Sequence, residues 1–116
     1  VEMFVDQTGC DIVAVSIGNA HGFYTTTPKL RLDVLAAVSD AISVPTVLHG
    51  ASGLSDSDIR QCIDLGVRKI NYATEFRAAF SEGYGSVSTP DPRSCLASAS
   101  ENMRKFCCKK VRLLGW

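Results

Sequence analysis

The chain holds two histidines, His21 and His49, and a glycine follows each directly, Gly22 and Gly50. Both stand behind short apolar runs: Ile12 to Ile17, "IVAVSI", precedes "GNAHGFY", and Thr46 to Leu48 precedes "HGASG". A neutral imidazole is a good zinc ligand, and a glycine beside it lets a ligand or another backbone approach closely. Two imidazoles at matching positions are therefore a candidate for part of a metal site. A strand-end histidine also serves as an ordinary hydrogen-bonding side chain, and a catalytic zinc takes three protein ligands and one open position. Spacing alone leaves both readings open.

Two further stretches are suggestive. Gly50, Ala51, Ser52 and Gly53 precede a Ser-capped helix, and Asn71, Tyr72, Ala73 and Thr74 precede another. Small-residue loops ahead of a helix gather backbone N–H groups that suit a phosphate. The same residue types also make plain tight turns.

The elements that must position these residues alternate along the chain. Val1 to Gly9 reads as the end of a helix, with Val1, Phe4 and Val5 on one face and Gly9 as its stop. Ile12 to Ile17 reads as a buried strand. Leu30 to Ile42 carries Leu35, Val38 and Ile42 at helical spacing, and Pro45 opens a second strand, Thr46 to Leu48. Ser55 is a helix cap with Asp58 completing a partial capping box, followed by Ile59, Cys62 and Ile63 on one side and Gly66 as the stop. Val67 to Tyr72 is the third strand, and a helix runs from Thr74 to about Gly83. After the loop "GYGSVSTPDP", Pro92 suits the first position of a final helix with Leu96, Ala99, Met103 and Phe106 on one face.

Short strands alternating with helices mean βαβ units and a parallel sheet. Part of a (β/α)8 barrel satisfies the pattern, and so does a doubly wound sheet. In both, ligands bind beyond the carboxyl ends of the strands. Both histidines and both small-residue loops then fall on one rim, and together there the functional reading outweighs the structural one.

Composition removes several function classes. The 116 residues suffice for one domain with a modest core. Twelve basic residues balance twelve acidic ones, which argues against a nucleic-acid surface. No apolar run approaches the roughly 18–20 residues of a membrane span. The first nine residues, "VEMFVDQTG", lack the basic start of a signal peptide. A chain that opens mid-helix without Met reads as a piece of something longer. Cys10, Cys62, Cys95, Cys107 and Cys108 are odd in number and form no C-x-x-C pair. They are expected to be free thiols in a reducing cytoplasm.

Three stretches, "TGCDIVAVSIGNAHGFY", "PTVLHGASGLSDSDI" and "LGVRKINYATEFRAAF", closely resemble the C-terminal part of class II, zinc-dependent ketose-bisphosphate aldolases of the fructose- and tagatose-bisphosphate type. The resemblance is strong from Val1 to about Phe80 and looser beyond. "GASG" and "ATE" lie nearer the tagatose-bisphosphate and related short aldolases. The resemblance implies the last three βα units, plus a terminal helix, of a TIM (β/α)8 barrel, so that residues 1–116 form a single partial domain. It implies that His21 and His49 ligate Zn2+ and that Gly22 contacts dihydroxyacetone phosphate. Gly50, Ala51 and Ser52 would hold the phosphate, with Asn71, Tyr72, Ala73 and Thr74 completing the cradle and Asn71 also close to the reacting carbons. The family's third zinc-binding His and its proton-moving Asp have no counterpart here, and "CCKKVRLLGW" departs from the family's usual ending. The expectation is a zinc-dependent aldolase of the cytoplasm acting on a sugar bisphosphate, a homo-oligomer in its full-length form, of which this chain is an inactive part. The alternative is a truncated, non-catalytic remnant that binds phosphate or a partner subunit.

Overall fold

The computed structural model describes residues 1–26 and 28–115. Trp116, the last residue of the divergent C-terminal stretch, lies outside them. The chain divides into two compact units, Val1–Tyr72 and Ala73–Trp116.

The first unit is an α/β arrangement: α1 (Glu2–Thr8), β1 (Val13–Ala14), α2 (Leu32–Ala41), β2 (Thr46–Leu48), α3 (Asp56–Asp64) and β3 (Val67–Ile70). The strands form one sheet in the order β1-β2-β3, each parallel to its neighbour. Val13 pairs with Thr46, and Leu48 with Ile70. The central strand β2 is buried at all three positions, as a parallel strand covered on both faces must be. Val13, Ile17, Leu35, Val47, Leu48, Leu54, Ile59, Cys62 and Val67 make up most of this unit's core.

Local chemistry sets several boundaries where the sequence places them. Pro45 stands directly before β2. Ser55 caps α3: its hydroxyl accepts from the Asp58 N–H at 3.0 Å and donates to the Asp58 carboxylate at 2.7 Å. Other boundaries differ. The strand expected over Ile12 to Ile17 pairs only at Val13–Ala14, and the one expected to reach Tyr72 ends at Ile70. Beyond Ala14 the backbone bonds locally instead: Ile17 donates its N–H to the Asn19 side chain, and its carbonyl accepts from Arg31. In α1, only Val5 of the expected apolar face is buried; Val1 and Phe4 are exposed. The 10-residue α2 starts at Leu32 rather than Leu30.

The second unit is a helical pair, α4 (Thr74–Gly85) and α5 (Pro92–Leu113). Asp91 caps α5 by accepting from the Arg93 N–H, with Pro92 in the first turn as expected. The two helices close on each other at Gly83, where a Cβ would lie 2.7 Å from the Ala99 Cα and the Ser98 carbonyl. The buried face of α5 runs through Cys95 and Ala99; Leu96, expected there, is exposed. At 3.6 residues per turn, Leu96 lies about 100° round the helix from Cys95 and about 60° from Ala99, to one side of the stripe those two share. Lys110 completes this buried face and pairs with Glu75 of α4 at 2.9 Å.

Candidate functional site

His49 directly follows β2, and His21 lies on the loop beyond β1; the two come together on the same side of the sheet. The rings of His21 and His49 lie with centroids 5.6 Å apart, edge to face at 77°. Zinc–nitrogen bonds of about 2.0–2.1 Å put each centroid roughly 3 Å from a shared ion, so two imidazoles on one tetrahedral ion sit about 5 Å apart. The observed separation fits that spacing. Among the described residues no group of three or more His, Cys, Asp or Glu side chains could hold a metal ion. The donor set present is thus two imidazoles, chemically suited to zinc and one ligand short of a catalytic site.

His49 is held from two sides. Its backbone carbonyl accepts from the Asn19 side-chain amide. Its Nδ1 lies 3.4 Å from Nδ2 of Asn71. Asn71 is itself pinned to the end of β2, since its N–H donates to the Leu48 carbonyl at 3.0 Å. The ladder therefore continues one step beyond β3 and delivers the Asn71 side chain to the residue after Leu48.

His21 is exposed and sits on a loop without regular structure. What fixes that loop is Tyr24. Its hydroxyl accepts from the Ala20 N–H at 3.0 Å and lies within donating reach of two carbonyls, Gly50 at 2.8 Å and Ala20 at 3.0 Å. Asn19 and Tyr24 went unassigned in the sequence because their partners stand 30 and 26 residues away. The one available signal was their position, flanking His21 within "GNAHGFY".

The turn after His49 is tightly built. Gly50 has φ +60°, and a Cβ there would run into the carbonyl of Ala20. Ala51 and Ser52 are buried, and the Leu54 N–H donates to the Ala51 carbonyl. The start of α3 is already occupied electrostatically. Ser55 takes the Asp58 N–H, and Asp56 and Asp58 place two carboxylates in the first turn, which favours cations over anions there. Any phosphate recognition on this side thus falls to the 50–53 turn itself. Gly22 is half-buried on the His21 loop, and Tyr72 closes the first unit. Ala73 and Thr74 belong to the second unit: Ala73 is the N-cap residue of α4, without a side-chain cap, and Thr74 is the first helical residue.

The thiols divide by burial. Burial, helped by the nearby Asp58 charge, pushes the Cys62 thiol up to about 11. Cys107 is exposed on α5, and none of the five cysteines is paired. No helix among the described residues is long and apolar enough to cross a membrane.

Comparison with known proteins bears on the whole chain. The family model described as fructose-bisphosphate aldolase class-II matches residues 1–116. D-tagatose-1,6-bisphosphate aldolase subunit GatY of Klebsiella oxytoca is 44% identical over 117 residues, covering 97% of this chain and 41% of the relative. The uncharacterized protein YdjI of Escherichia coli K12 is 60% identical over 72 residues, 62% of this chain and 26% of the relative. The crystal structure of the YdjI aldolase from E. coli K12 superposes with a TM-score of 0.88 at 38% identity, covering 98% of this chain and 42% of that one. The fructose-bisphosphate aldolase structure from Campylobacter jejuni gives 0.78 at 25% identity, covering 97% and 43%. The chain thus spans 26–41% of the length of these curated relatives.

Proposed function

The chain belongs to the class II fructose-bisphosphate aldolase family and its fold is part of a TIM (β/α)8 barrel; on that basis we propose that it is the C-terminal part of a lyase. The reaction is aldol cleavage of a ketose 1,6-bisphosphate to dihydroxyacetone phosphate and an aldehyde phosphate, and the reverse condensation. The observation that carries this reading is the 5.6 Å separation of the His21 and His49 rings, one on the loop beyond β1 and the other directly after β2.

In this reading His21 and His49 are two of the three ligands of Zn2+, which when bound supplies Lewis-acid polarisation of the ketose carbonyl and hydroxyl oxygens. The remaining work falls to the chain's own groups. Gly22 leaves room for the dihydroxyacetone phosphate half beside His21. Gly50, Ala51 and Ser52 hold its phosphate through backbone N–H groups and the Ser52 hydroxyl, anchoring the substrate away from the reacting carbons so that binding energy orients them. Asn71, beside His49, is the residue here assigned to the reacting centre, with Tyr72 next to it. Ala73 and Thr74 keep the phosphate-binding role that the resemblance gives them. The third His and the proton-moving Asp come from outside the described residues. Residues 1–116 are then one partial domain of a cytoplasmic, homo-oligomeric enzyme. The resemblance to a tagatose-bisphosphate aldolase subunit favours tagatose bisphosphate alongside the fructose ester.

A second reading is a non-catalytic remnant that binds phosphate or a partner subunit. An assay on fructose and tagatose 1,6-bisphosphates separates the two. The purified chain with zinc should show no useful turnover, since a positioned acid–base group contributes about 10²–10⁴-fold. Co-expression with the part of a GatY-type relative that this chain does not match should restore turnover, and His21→Ala or His49→Ala should abolish it. No turnover under either condition favours the remnant. Turnover by the chain alone means that carboxylates within it replace the missing groups.

A further inference from the structure

We propose that Tyr24, assisted by Asn19, is the positioning residue that sets the separation of the two imidazoles. The inference rests on the zinc reading above and adds a role for two side chains outside the ligand set.

The loop from Gly18 to Tyr24 has no ladder or helix to hold it, and His21 near its middle is exposed. Two side chains tie it to the turn after β2. The Tyr24 hydroxyl has one proton and accepts as well. It takes the Ala20 N–H at 3.0 Å and gives its own proton to the nearer carbonyl, Gly50 at 2.8 Å. One hydroxyl thereby joins the residue before His21 to the residue after His49. The Tyr24 ring lies over Gly53, where a Cβ would meet its Cδ2 at 3.2 Å, so the ring has a fixed seat. Asn19 makes the second tie: its Oδ1 accepts from the Ile17 N–H at 3.0 Å, and its Nδ2 donates to the His49 carbonyl. The carbonyls of His49 and Gly50 are thus both held by the loop that carries the other histidine. Gly50 has no Cβ to stop Ala20 from closing on it. These ties act on the backbone on either side of the two histidines, and so set where the rings stand.

The test uses the full chain, with zinc alone as the probe, in four variants: Tyr24→Phe, Asn19→Ala, His21→Ala and His49→Ala. Zinc affinity is measured by competition with a chromophoric chelator, and hydrogen exchange of the Ala20 amide and the metal-free unfolding midpoint are followed in parallel. Tyr24→Phe keeps the ring and removes the hydroxyl. It should weaken zinc binding about 2- to 10-fold, the worth of one neutral hydrogen bond, and speed Ala20 exchange, with little change in the metal-free midpoint. Asn19→Ala should weaken zinc binding in the same direction, and both histidine variants should weaken it more. If the histidine variants lose zinc while Tyr24→Phe retains full affinity and slow Ala20 exchange, the positioning role is overturned and the zinc site stands. If the histidine variants leave zinc binding unchanged, the zinc reading fails and this inference with it, whatever Ala20 does. If Tyr24→Phe and Asn19→Ala both fail to fold, the two side chains hold up the fold rather than the site, and the proposal also falls.

Discussion

Asn71 and His49 meet side chain to side chain across neighbouring strand ends, Nδ2 to Nδ1 at 3.4 Å. At that length the contact is a weak hydrogen bond, and a carboxamide can offer either its N–H or its oxygen to a ring nitrogen. With the amide donating, the His49 proton sits on Nε2. With the amide turned over, Nδ1 carries the proton and Nε2 is free to act as a ligand. Asn71→Ala removes this control and should shift the tautomer population of His49. Long-range ¹⁵N–¹H correlation spectra of the ring read that shift directly. An unchanged spectrum would show that the neighbours do not couple.

Gly50→Ala should be among the most damaging single-methyl changes in the first unit. Its φ of +60° costs a residue with a Cβ about 1–2 kcal/mol. The new methyl also meets the Ala20 carbonyl, and overpacking adds about 1–3 kcal/mol. A total loss of about 2–5 kcal/mol should appear in urea denaturation. Gly9→Ala shares a φ of +61° with open space around it, and should lose only the backbone part.

In the second unit, Lys110→Met should destabilise strongly. The ammonium and the Glu75 carboxylate lie 2.9 Å apart with side chains 11% and 25% exposed, and Lys110 also stands over the Phe106 ring at 5.4 Å. Removing one partner of a buried pair costs about 3–5 kcal/mol; the partial exposure of Glu75 lowers the expectation to about 2–4. Replacing both, with Glu75→Leu alongside Lys110→Met, should recover most of the loss. Thermal or chemical unfolding of the single and double variants measures the coupling.

The thiols should separate by reactivity. The Cys62 thiol, pushed up to about 11, carries little thiolate at pH 8 and is buried, so it should react with a disulfide reagent only after unfolding. Exposed Cys107 should react at once. The linkage has a definite sign. The folded thiol holds its proton more tightly than the unfolded one. Its contribution is fully present below the thiol's ordinary value of 9.0 and is lost as pH rises toward about 11. A Cys62→Ser variant compared with the parent between pH 8 and 11 should show a flatter decline.

What could be read from the sequence was local. Pro45 ahead of β2, the Ser55 and Asp58 cap and the Asp91 and Pro92 start of α5 all depend on groups a few residues apart, so the chain carries its own signal. The histidines were legible for a related reason, since each follows an apolar run closely and precedes glycine. Strand length was not legible: β1 ends at Ala14 although β2 runs on to Leu48 and the apolar run continues to Ile17, because Ile17 bonds the Asn19 side chain and the Arg31 N–H instead of a neighbouring strand. Of the face expected on α5, Ala99 is buried but Leu96 is exposed while Cys95 takes its place, since Cys95 and Leu96 differ little in apolar character and only α4 decides between them. Tyr24 and Lys110 were missed because their partners, Gly50 and Glu75, lie far along the chain.

The strands lie side by side in the order in which they are made, each parallel to the last. Such a sheet has a growth rule instead of a fixed edge: one more βα step, added before β1 or after β3, takes the next lateral place without reordering the others. Consecutive motifs are therefore the ones that touch, as His21 with His49 and His49 with Asn71 do. A change at one motif should be felt first by the motif just before or just after it, so compensating substitutions are to be sought between successive motifs.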